Sequence, residues 1–309
     1  MNLASAFASS AQKHSDSVGV FWGDVELSYQ QLFQQALQVR TVLVQHTQLK
    51  PRARVGLWLK NCPDFVSCLF GSWMAEAVVV PINNFLRPRE VSYILANAGI
   101  DVLISETALS EGFGELQASQ PGLRILPVET LAKMGSASPS EWTSPPQTES
   151  DLALIIYTSG TTGHPKGAML SHGNLLHNVE SCRQMLQAVS FDRFVVLLPM
   201  FHSFMLTVGI LLPLSVGGSM VLIKTLQSPK TILAEALARQ ATILPAIPQF
   251  FRALTNAALP ENLSLRLCIS GAAPLPREVL REFNEKFPIP LLEGYGLSEA
   301  SPVVSMNPI

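Results

Sequence analysis

Short apolar runs rich in branched residues recur along the chain and alternate with segments of helical periodicity. Two such runs, "VGLWLK" (55–60) and "AVVVPI" (77–82), lack regular polar alternation, and "PDFVSCLFGSWMAEA" between them has helical spacing. Strands that are apolar throughout are typical of parallel sheets covered by helices on both faces. The alternation therefore predicts an α/β architecture with largely parallel sheets.

The same alternation continues in the second half of the chain. Further strand candidates are "LALII", "RFVVLL", "SMVLI", "ATILPAI", "LRLCIS" and "PLLEG". Helical segments such as "SPKTILAEALARQ" and "LPREVLREFNEKF" separate them, and Gly99 is predicted to end the helix "RPREVSYILANAG". A Ser/Pro-rich connector at 136–150 predicts approximate halves at 1–135 and 151–309.

A stretch from Phe194 to Ile223 contains no charged residue, but Pro199 and Pro213 interrupt it. A membrane-spanning helix needs about 20 continuous apolar residues, so we predict strand, loop, buried helix and strand here. Peripheral membrane contact stays compatible with this prediction. A net charge of −2 argues against nucleic-acid binding. Four cysteines without paired metal spacing favour a reducing, cytoplasmic location.

The segment "YTSGTTGHPKGAML" (157–170) directly follows the predicted strand "LALII" and combines glycines, hydroxyls and one lysine, Lys166. Glycines let backbone N–H groups approach an anion, hydroxyls donate to phosphate oxygens, and lysine supplies a point charge. The Walker pattern is excluded, because Lys166 precedes Gly167 and Ala168 follows. The loop taken alone fits either a phosphate site or a polar surface turn.

Four motifs in order resemble those of the adenylate-forming superfamily, the acyl-CoA synthetases and their relatives. They are "YTSGTTGHPKG", "PMFHS" (199–203), "SGAAPL" (270–275) and "EGYGLSEA" (293–300). The resemblance covers the whole chain and is strongest to fatty-acyl-CoA ligases. It implies the large N-terminal domain of the acyl-CoA synthetase-like fold, with stacked α/β layers, two mainly parallel sheets and segments exchanged between the sheets.

The resemblance implies a ligase that joins a carboxylic acid, expected to be a fatty acid, to ATP and then to coenzyme A. Lys166, Glu299 and His202 are the expected catalytic residues. Glu299 would bind Mg²⁺, His202 would border the carboxylate, and Ser298, where the family usually has threonine, would bond the α-phosphate. The β- and γ-phosphates would be held by Lys166 and by Thr158, Ser159, Gly160, Thr161, Thr162 and Gly163. The adenine pocket would comprise Gly271, Ala272, Ala273, Glu293, Gly294, Tyr295 and Gly296.

The family continues well beyond the point where this sequence stops, so we expect an incomplete N-terminal AMP-binding domain without its C-terminal lid. Such a piece is expected to be nearly inactive alone, because the family's ribose-binding aspartate and lid lysine are not in it. Two other functions stay open within the superfamily: transfer of the acyl group to a carrier protein, and adenylation of an aryl or amino acid. A non-catalytic nucleotide-binding module is the alternative from a different class.

Overall fold

A computed structural model describes residues 1–134, 142–158, 164–224, 228–257 and 263–309. Its strands, in chain order, are β1 (Val18–Trp22), β2 (Val25–Ser28), β3 (Arg54–Trp58), β4 (Val78–Pro81), β5 (Val102–Ser105), β6 (Arg124–Pro127), β7 (Leu152–Thr158), β8 (Lys166–Ser171), β9 (Arg193–Val196), β10 (Ser219–Leu222), β11 (Ile243–Ala246), β12 (Leu267–Ser270), β13 (Leu291–Gly296) and β14 (Val303–Met306).

Helices connect most of these strands. The α-helices are α1 (Leu3–Lys13), α2 (Tyr29–Thr41), α3 (Pro63–Met74), α4 (Pro88–Ala98), α5 (Phe113–Ser119), α6 (Val128–Met134), α7 (His172–Leu186), α8 (Leu212–Val216), α9 (Pro229–Ala238), α10 (Pro248–Thr255) and α11 (Arg277–Lys286). Wider π-helical turns span Val42–His46 and Met205–Leu211, and tighter 3₁₀ turns span Thr107–Gly112 and Ser298–Ala300.

The chain forms two compact units, each with its own sheet. The first comprises Met1–Gln12 and Tyr29–Leu176, and the second comprises Lys13–Ser28 and His177–Ile309. The residues of each unit are in close contact with one another. The domain bounds predicted from the sequence, 1–135 and 151–309, stay a prediction.

The sheet of the first unit has the strand order β6-β5-β3-β4-β7-β8. Its strands pair in parallel, except that β8 runs antiparallel to β7 at one edge. An apolar core forms where β3, β4 and β5 meet helices α4 and α5, with Val80, Ile94 and Leu103 fully or almost fully buried. Because these strands are buried where they meet the helices, their side chains are apolar throughout.

The sheet of the second unit has the order β14-β13-β12-β11-β9-β10-β1-β2. Its six central strands are parallel, and antiparallel hairpins close both edges. Its core contains side chains from these strands and from α9, α10 and α11. Phe251 of α10 and Phe283 of α11 are two of its buried members. The two mainly parallel sheets confirm the predicted α/β architecture.

Several local predictions are also confirmed. Gly99 ends α4 in the left-handed conformation, with φ of 62°. The uncharged stretch at 194–223 forms β9, a loop, the buried π-helix with α8, and β10, as the interrupting prolines predicted. Within the described ranges, no helix is both long and apolar enough to cross a membrane.

His172, at the start of α7, is fully buried inside the first unit. Its Nδ1 atom accepts a hydrogen bond from the backbone N–H of Leu3 at 3.2 Å, and its ring meets Trp73 edge-on at 6.2 Å. Its Nε2 atom has no hydrogen-bond partner among the described residues. Burial lowers the pKa of His172 to about 4; the Asp151 carboxylate opposes this shift, and the N-terminal ammonium adds to it.

We expect the stability of the chain to fall in acid through His172. The folded protein favours the neutral ring, so the unfolded chain binds the proton first as the pH is lowered. The stabilisation is therefore complete above pH 6.5 and is lost as the pH falls toward about 4. The shift from 6.5 to about 4 corresponds to about 3 kcal/mol of unfolding free energy.

Urea unfolding at several pH values checks this expectation. The matched variant His172→Asn keeps an acceptor for Leu3 and cannot titrate. Its unfolding free energy should depend on pH less steeply than that of the unmodified chain between pH 6.5 and 4. Identical slopes for the two proteins would show that His172 does not titrate on unfolding.

Candidate active site

The predicted phosphate loop is the connection of an antiparallel hairpin in the first unit. Strand β7 ends at Thr158, which pairs with Lys166 at the start of β8, and Tyr157 pairs with Gly167. Lys166 is exposed at this hairpin end. The predicted phosphate ligands Ser159, Gly160, Thr161, Thr162 and Gly163 lie outside the described residues.

Helix α4 holds both sides of this hairpin. The ring of Tyr93 stacks on His164 with centroids 5.2 Å apart, and its hydroxyl donates to the carbonyl oxygen of Pro165 at 3.3 Å. The hydroxyl of Tyr157 donates to Oδ1 of Asn97 at 2.5 Å. Burial raises the pKa of Tyr157, so this hydroxyl keeps its proton and stays a donor. Lys166 is thereby carried by an anchored strand.

Gly167 follows the lysine because no side chain fits there. A Cβ atom at this position would lie 2.6 Å from Cγ2 of Ile155 and 3.3 Å from the ring of Tyr157. Real Cβ atoms do not approach other atoms as closely as 2.6 Å, so a larger residue would displace β7. The glycine of the motif therefore has a packing role in addition to any role in phosphate binding.

The other predicted site residues belong to the second unit, where they follow neighbouring strands. Strands β9, β11, β12 and β13 are parallel neighbours, so their carboxyl ends share one edge of the sheet. His202 lies in the loop after β9, Gly271 directly follows β12, and Ser298 follows β13. Ligands of open α/β sheets bind at this edge.

The loop after β12 is fixed by β13. The Oε1 atom of Glu293, in β13, accepts a hydrogen bond from the backbone N–H of Leu275 at 2.7 Å. Ala272, between the end of β12 and Leu275, adopts the left-handed conformation, with φ of 66°. A Cβ atom at Gly271 would lie 3.0 Å from the ring of Phe204, so this glycine permits close packing of that ring. Glu293 therefore organises the loop that carries Gly271, Ala272 and Ala273.

Strands β13 and β14 form the hairpin that carries the last motif. Gly294 pairs with Met306, and Gly296 pairs with Val303. A Cβ atom at Gly296 would lie 2.5 Å from the carbonyl oxygen of Pro302, which explains the glycine. The Tyr295 side chain is 58% exposed, so a face of its ring is open to a planar ligand. The 3₁₀ turn Ser298–Ala300 presents Glu299 at the surface.

Three side chains that the sequence analysis did not assign hold this hairpin. Oγ of Ser203 lies 3.0 Å from Oγ of Ser298, and the hydroxyl of Thr207 donates to the carbonyl oxygen of Ser301 at 3.3 Å. The amide of Asn178, in α7, donates to the carbonyl oxygen of Val303 at 2.8 Å and accepts from its N–H at 3.1 Å. Ser203 was part of the quoted "PMFHS" motif, whereas no sequence signal marked Asn178.

His202 is an exposed residue whose ring accepts a defined hydrogen bond. Its Nδ1 atom accepts from the backbone N–H of Phe204 at 3.3 Å, which places the proton of the neutral ring on Nε2. Partial removal from water lowers the pKa of His202, so the neutral ring predominates near pH 7. A neutral imidazole with an Nε2 proton can donate to a carboxylate oxygen.

The predicted residues thus fall into two groups. Thr158 and Lys166 belong to the first unit. The second unit contains His202 together with Gly271, Ala272, Ala273, Glu293, Gly294, Tyr295, Gly296, Ser298 and Glu299. Within the second unit, the structure links the three motifs through the contacts Ser203–Ser298, Phe204–Gly271 and Glu293–Leu275.

Comparison with known proteins supports the resemblance found in the motifs. A model of the family described as "AMP-binding enzyme" matches residues 7–309. The chain belongs to the AMP-binding enzyme family. This AMP-binding chain is 30% identical to a feruloyl-CoA synthase of Amycolatopsis sp over 299 residues, with 95% of the chain and 59% of the relative covered.

Two further proteins extend the comparison. A long-chain-fatty-acid–CoA ligase of Bacillus subtilis (strain 168) is 27% identical over 344 residues, which cover 99% of the AMP-binding chain and 61% of the relative. The crystal structure of ATP-bound MatB from Rhodopseudomonas palustris matches with a TM-score of 0.90 at 28% identity, covering 100% of the chain and 62% of MatB. The chain therefore has the fold of the N-terminal part of these proteins and spans about three fifths of their length.

We expect Glu293→Ala to destabilise the AMP-binding chain, because it removes the acceptor for the Leu275 N–H. Hydrogen bonds to charged groups contribute about 1.5–3 kcal/mol, and Glu293→Gln should retain part of this because its amide oxygen still accepts. The control Glu285→Ala removes an exposed carboxylate of α11 and should change the unfolding free energy by less than about 0.5 kcal/mol. Urea unfolding measures all three, and equal losses for Glu293→Ala and the control would contradict the organising role of Glu293.

Proposed function

We propose that the protein activates a carboxylic acid with ATP and then transfers the acyl group to coenzyme A. One observation carries the proposal: in a member of the AMP-binding family, His202, Gly271 and Ser298 follow parallel strands to one edge of the same sheet. In the first step, a carboxylate oxygen attacks the α-phosphorus, and the bond to the leaving pyrophosphate breaks. In the second, the sulfur of coenzyme A attacks the acyl carbon, and AMP leaves.

Charge neutralisation is the main requirement of the first step, because two anions must meet in line. Lys166 supplies a positive charge at the end of the β7–β8 hairpin, and Thr158 faces it across the ladder. We assign both residues to the β- and γ-phosphates. Ser159, Gly160, Thr161, Thr162 and Gly163 share this role in the proposal through their place in the motif.

Adenine is assigned to the loop after β12 and to the start of the β13–β14 hairpin. The exposed ring of Tyr295 offers a stacking face. Gly294 shares this assignment through its place in the motif; a Cβ atom there would make only ordinary contact with Met306, at 3.7 Å, so packing does not require the glycine. Glu293 keeps Gly271, Ala272 and Ala273 in place, and Gly296 permits the close turn that follows.

Magnesium is assigned to Glu299, and the residues fit this ion. Glu299 is an exposed carboxylate, a hard oxygen ligand. No group of three or more His, Cys, Asp or Glu residues that could hold a metal occurs in the part of the chain that the structure describes. Magnesium usually takes one or two protein carboxylates and completes its shell with phosphate oxygens and water. When bound, the ion would neutralise developing charge on the phosphates.

The carboxylic acid is assigned to the vicinity of His202. The lowered pKa keeps this ring neutral, so it can approach the carboxylate through its Nε2 proton. The adjoining segment at 204–212 is buried and, except for Thr207, apolar, which suits a wall of an acyl site. We propose a fatty acid as the substrate and the cytoplasm as the location.

An aryl acid is the second candidate, because a relative described as a feruloyl-CoA synthase is 30% identical to this chain. Transfer to a carrier protein and adenylation of an amino acid are further alternatives, and a non-catalytic nucleotide-binding module is the alternative outside enzymes. Pyrophosphate exchange by the full-length natural protein with a panel of carboxylic acids separates enzyme from binding module. Exchange with none of the acids would reject the proposal.

The acyl acceptor is identified in a second assay. Coenzyme A or a phosphopantetheinylated carrier protein is added after the active acid is known. Thioester formation with coenzyme A alone supports the proposed ligase. Thioester formation with the carrier protein alone would reject it in favour of the carrier-protein alternative.

We expect Glu299→Gln in the full-length protein to lower kcat for adenylation on the order of 10²-fold or more, because a charged metal ligand is lost. Affinity for the carboxylic acid should change little. The matched control Glu285→Gln, on the exposed face of α11, should leave exchange unchanged. Exchange kinetics at several magnesium concentrations measure both, and unchanged kinetics in Glu299→Gln would remove Glu299 from the metal role.

A further inference from the structure

Two serine hydroxyls from different motifs meet beneath the turn that carries Glu299. Oγ of Ser203 lies 3.0 Å from Oγ of Ser298, and either atom can be the donor. Ser203 is only 3% exposed, so its hydroxyl depends on a protein partner to avoid the cost of burying an unpaired polar group. Ser298 is half-buried, so a ligand can still reach it.

We propose that Ser203 is a positioning residue that donates its proton to Ser298 and thereby aims the Ser298 hydroxyl at the α-phosphate of ATP. The proposal rests on the function proposed above, which places Ser298 at that phosphate. It assigns no contact between Ser203 and the substrate.

The direction of the hydrogen bond follows from proton counting. A phosphate oxygen can only accept, so Ser298 must give its single proton to the phosphate. Its oxygen can then only accept from Ser203, which makes Ser203 the donor. Hydrogen bonds in such a chain polarise one another, so the bond from Ser203 also strengthens the Ser298 donor.

The position of the turn does not depend on this bond alone. Leu297 donates its N–H to the carbonyl oxygen of Pro302 at 2.9 Å, and Thr207 bonds the carbonyl oxygen of Ser301. Asn178 makes two hydrogen bonds to the backbone of Val303, just beyond the turn. Removal of the Ser203 hydroxyl therefore leaves the backbone anchored and changes mainly the orientation of the Ser298 hydroxyl.

The backbone of Ser203 is fixed independently as well. His202 donates its N–H to the carbonyl oxygen of Pro199 at 3.1 Å, and Leu206 donates to the carbonyl oxygen of His202 at 2.9 Å. These bonds set the beginning of the buried helical segment. Ser203 is consequently a rigid donor, which is the property that a positioning residue requires.

The test compares Ser203→Ala, Ser298→Ala, the double variant and Asn178→Ala in the full-length protein. Pyrophosphate exchange gives kcat and the KM values, and thermal unfolding gives Tm. Loss of a hydrogen bond that orients a metal ligand costs about 10–100-fold, and for the comparable orientation of Ser298 we expect Ser203→Ala to lower kcat on the order of 10-fold. The KM for the carboxylic acid should not change, and the double variant should be no slower than Ser298→Ala.

Asn178→Ala separates positioning from general support of the hairpin. It removes two hydrogen bonds to β14 and leaves both hydroxyls in place, so Tm should fall more than in Ser203→Ala while kcat falls less. The proposal is overturned if Asn178→Ala lowers kcat as much as Ser203→Ala. It is also overturned if the effects of Ser203→Ala and Ser298→Ala multiply in the double variant.

A binding measurement keeps this proposal distinct from the proposed function. If the unmodified protein shows no carboxylate-dependent exchange, adenylation is rejected, and calorimetry with ATP and Mg²⁺ then decides the role of Ser203. Several-fold weaker binding by Ser203→Ala than by the unmodified protein supports it. Equal affinity overturns it.

Discussion

Parallel pairing of the central strands is the constraint on which the candidate site of the second unit depends. Because β9, β11, β12 and β13 run in the same direction, each delivers its following loop to one edge of the sheet. His202, Gly271 and Ser298 follow β9, β12 and β13, which belong to one run of four adjacent strands in the sheet. A single antiparallel strand among these four would send its loop to the opposite edge.

The last motif needs more than this pairing, because it lies on an edge. Among the strands of the described residues, β14 pairs only with β13, so the outer N–H and carbonyl groups of Val303 would face away from all of these strands. The side-chain amide of Asn178 replaces the missing strand by offering one donor and one acceptor. Ser203 and Thr207 bond the turn between the strands. An edge hairpin, which is ordinarily a mobile element, thus becomes a fixed support for Ser298 and Glu299.

The sequence predicted the structure correctly where residues close together in the chain determine it. Branched apolar runs gave β3 and β4, Gly99 ended α4, and Pro199 and Pro213 divided the uncharged stretch. It missed β6, β8, β14 and the β1–β2 hairpin, whose short sequences alternate weakly, although β2, β8 and β14 each pair with the strand directly before them in the chain. Asn178 and the pairing of Ser203 with Ser298 were missed because contacts across 125 and 95 residues leave no periodic signal. The motif residues themselves were recognised because their four strings resemble, in the same order, those of a known family.

The short segment from His202 to Phe204 combines directional hydrogen bonds with apolar packing. Its polar members form directional bonds, His202 with the backbone and Ser203 with Ser298. Phe204 packs on Gly271, and every residue of the following π-helix, Met205–Leu211, is buried. Directional bonds tolerate few substitutions, whereas non-directional apolar packing tolerates many of similar volume. Thr207 is the exception in this helix, because its hydroxyl donates to the carbonyl oxygen of Ser301, so we expect substitutions of similar volume to be tolerated at the apolar positions around it and not at Thr207.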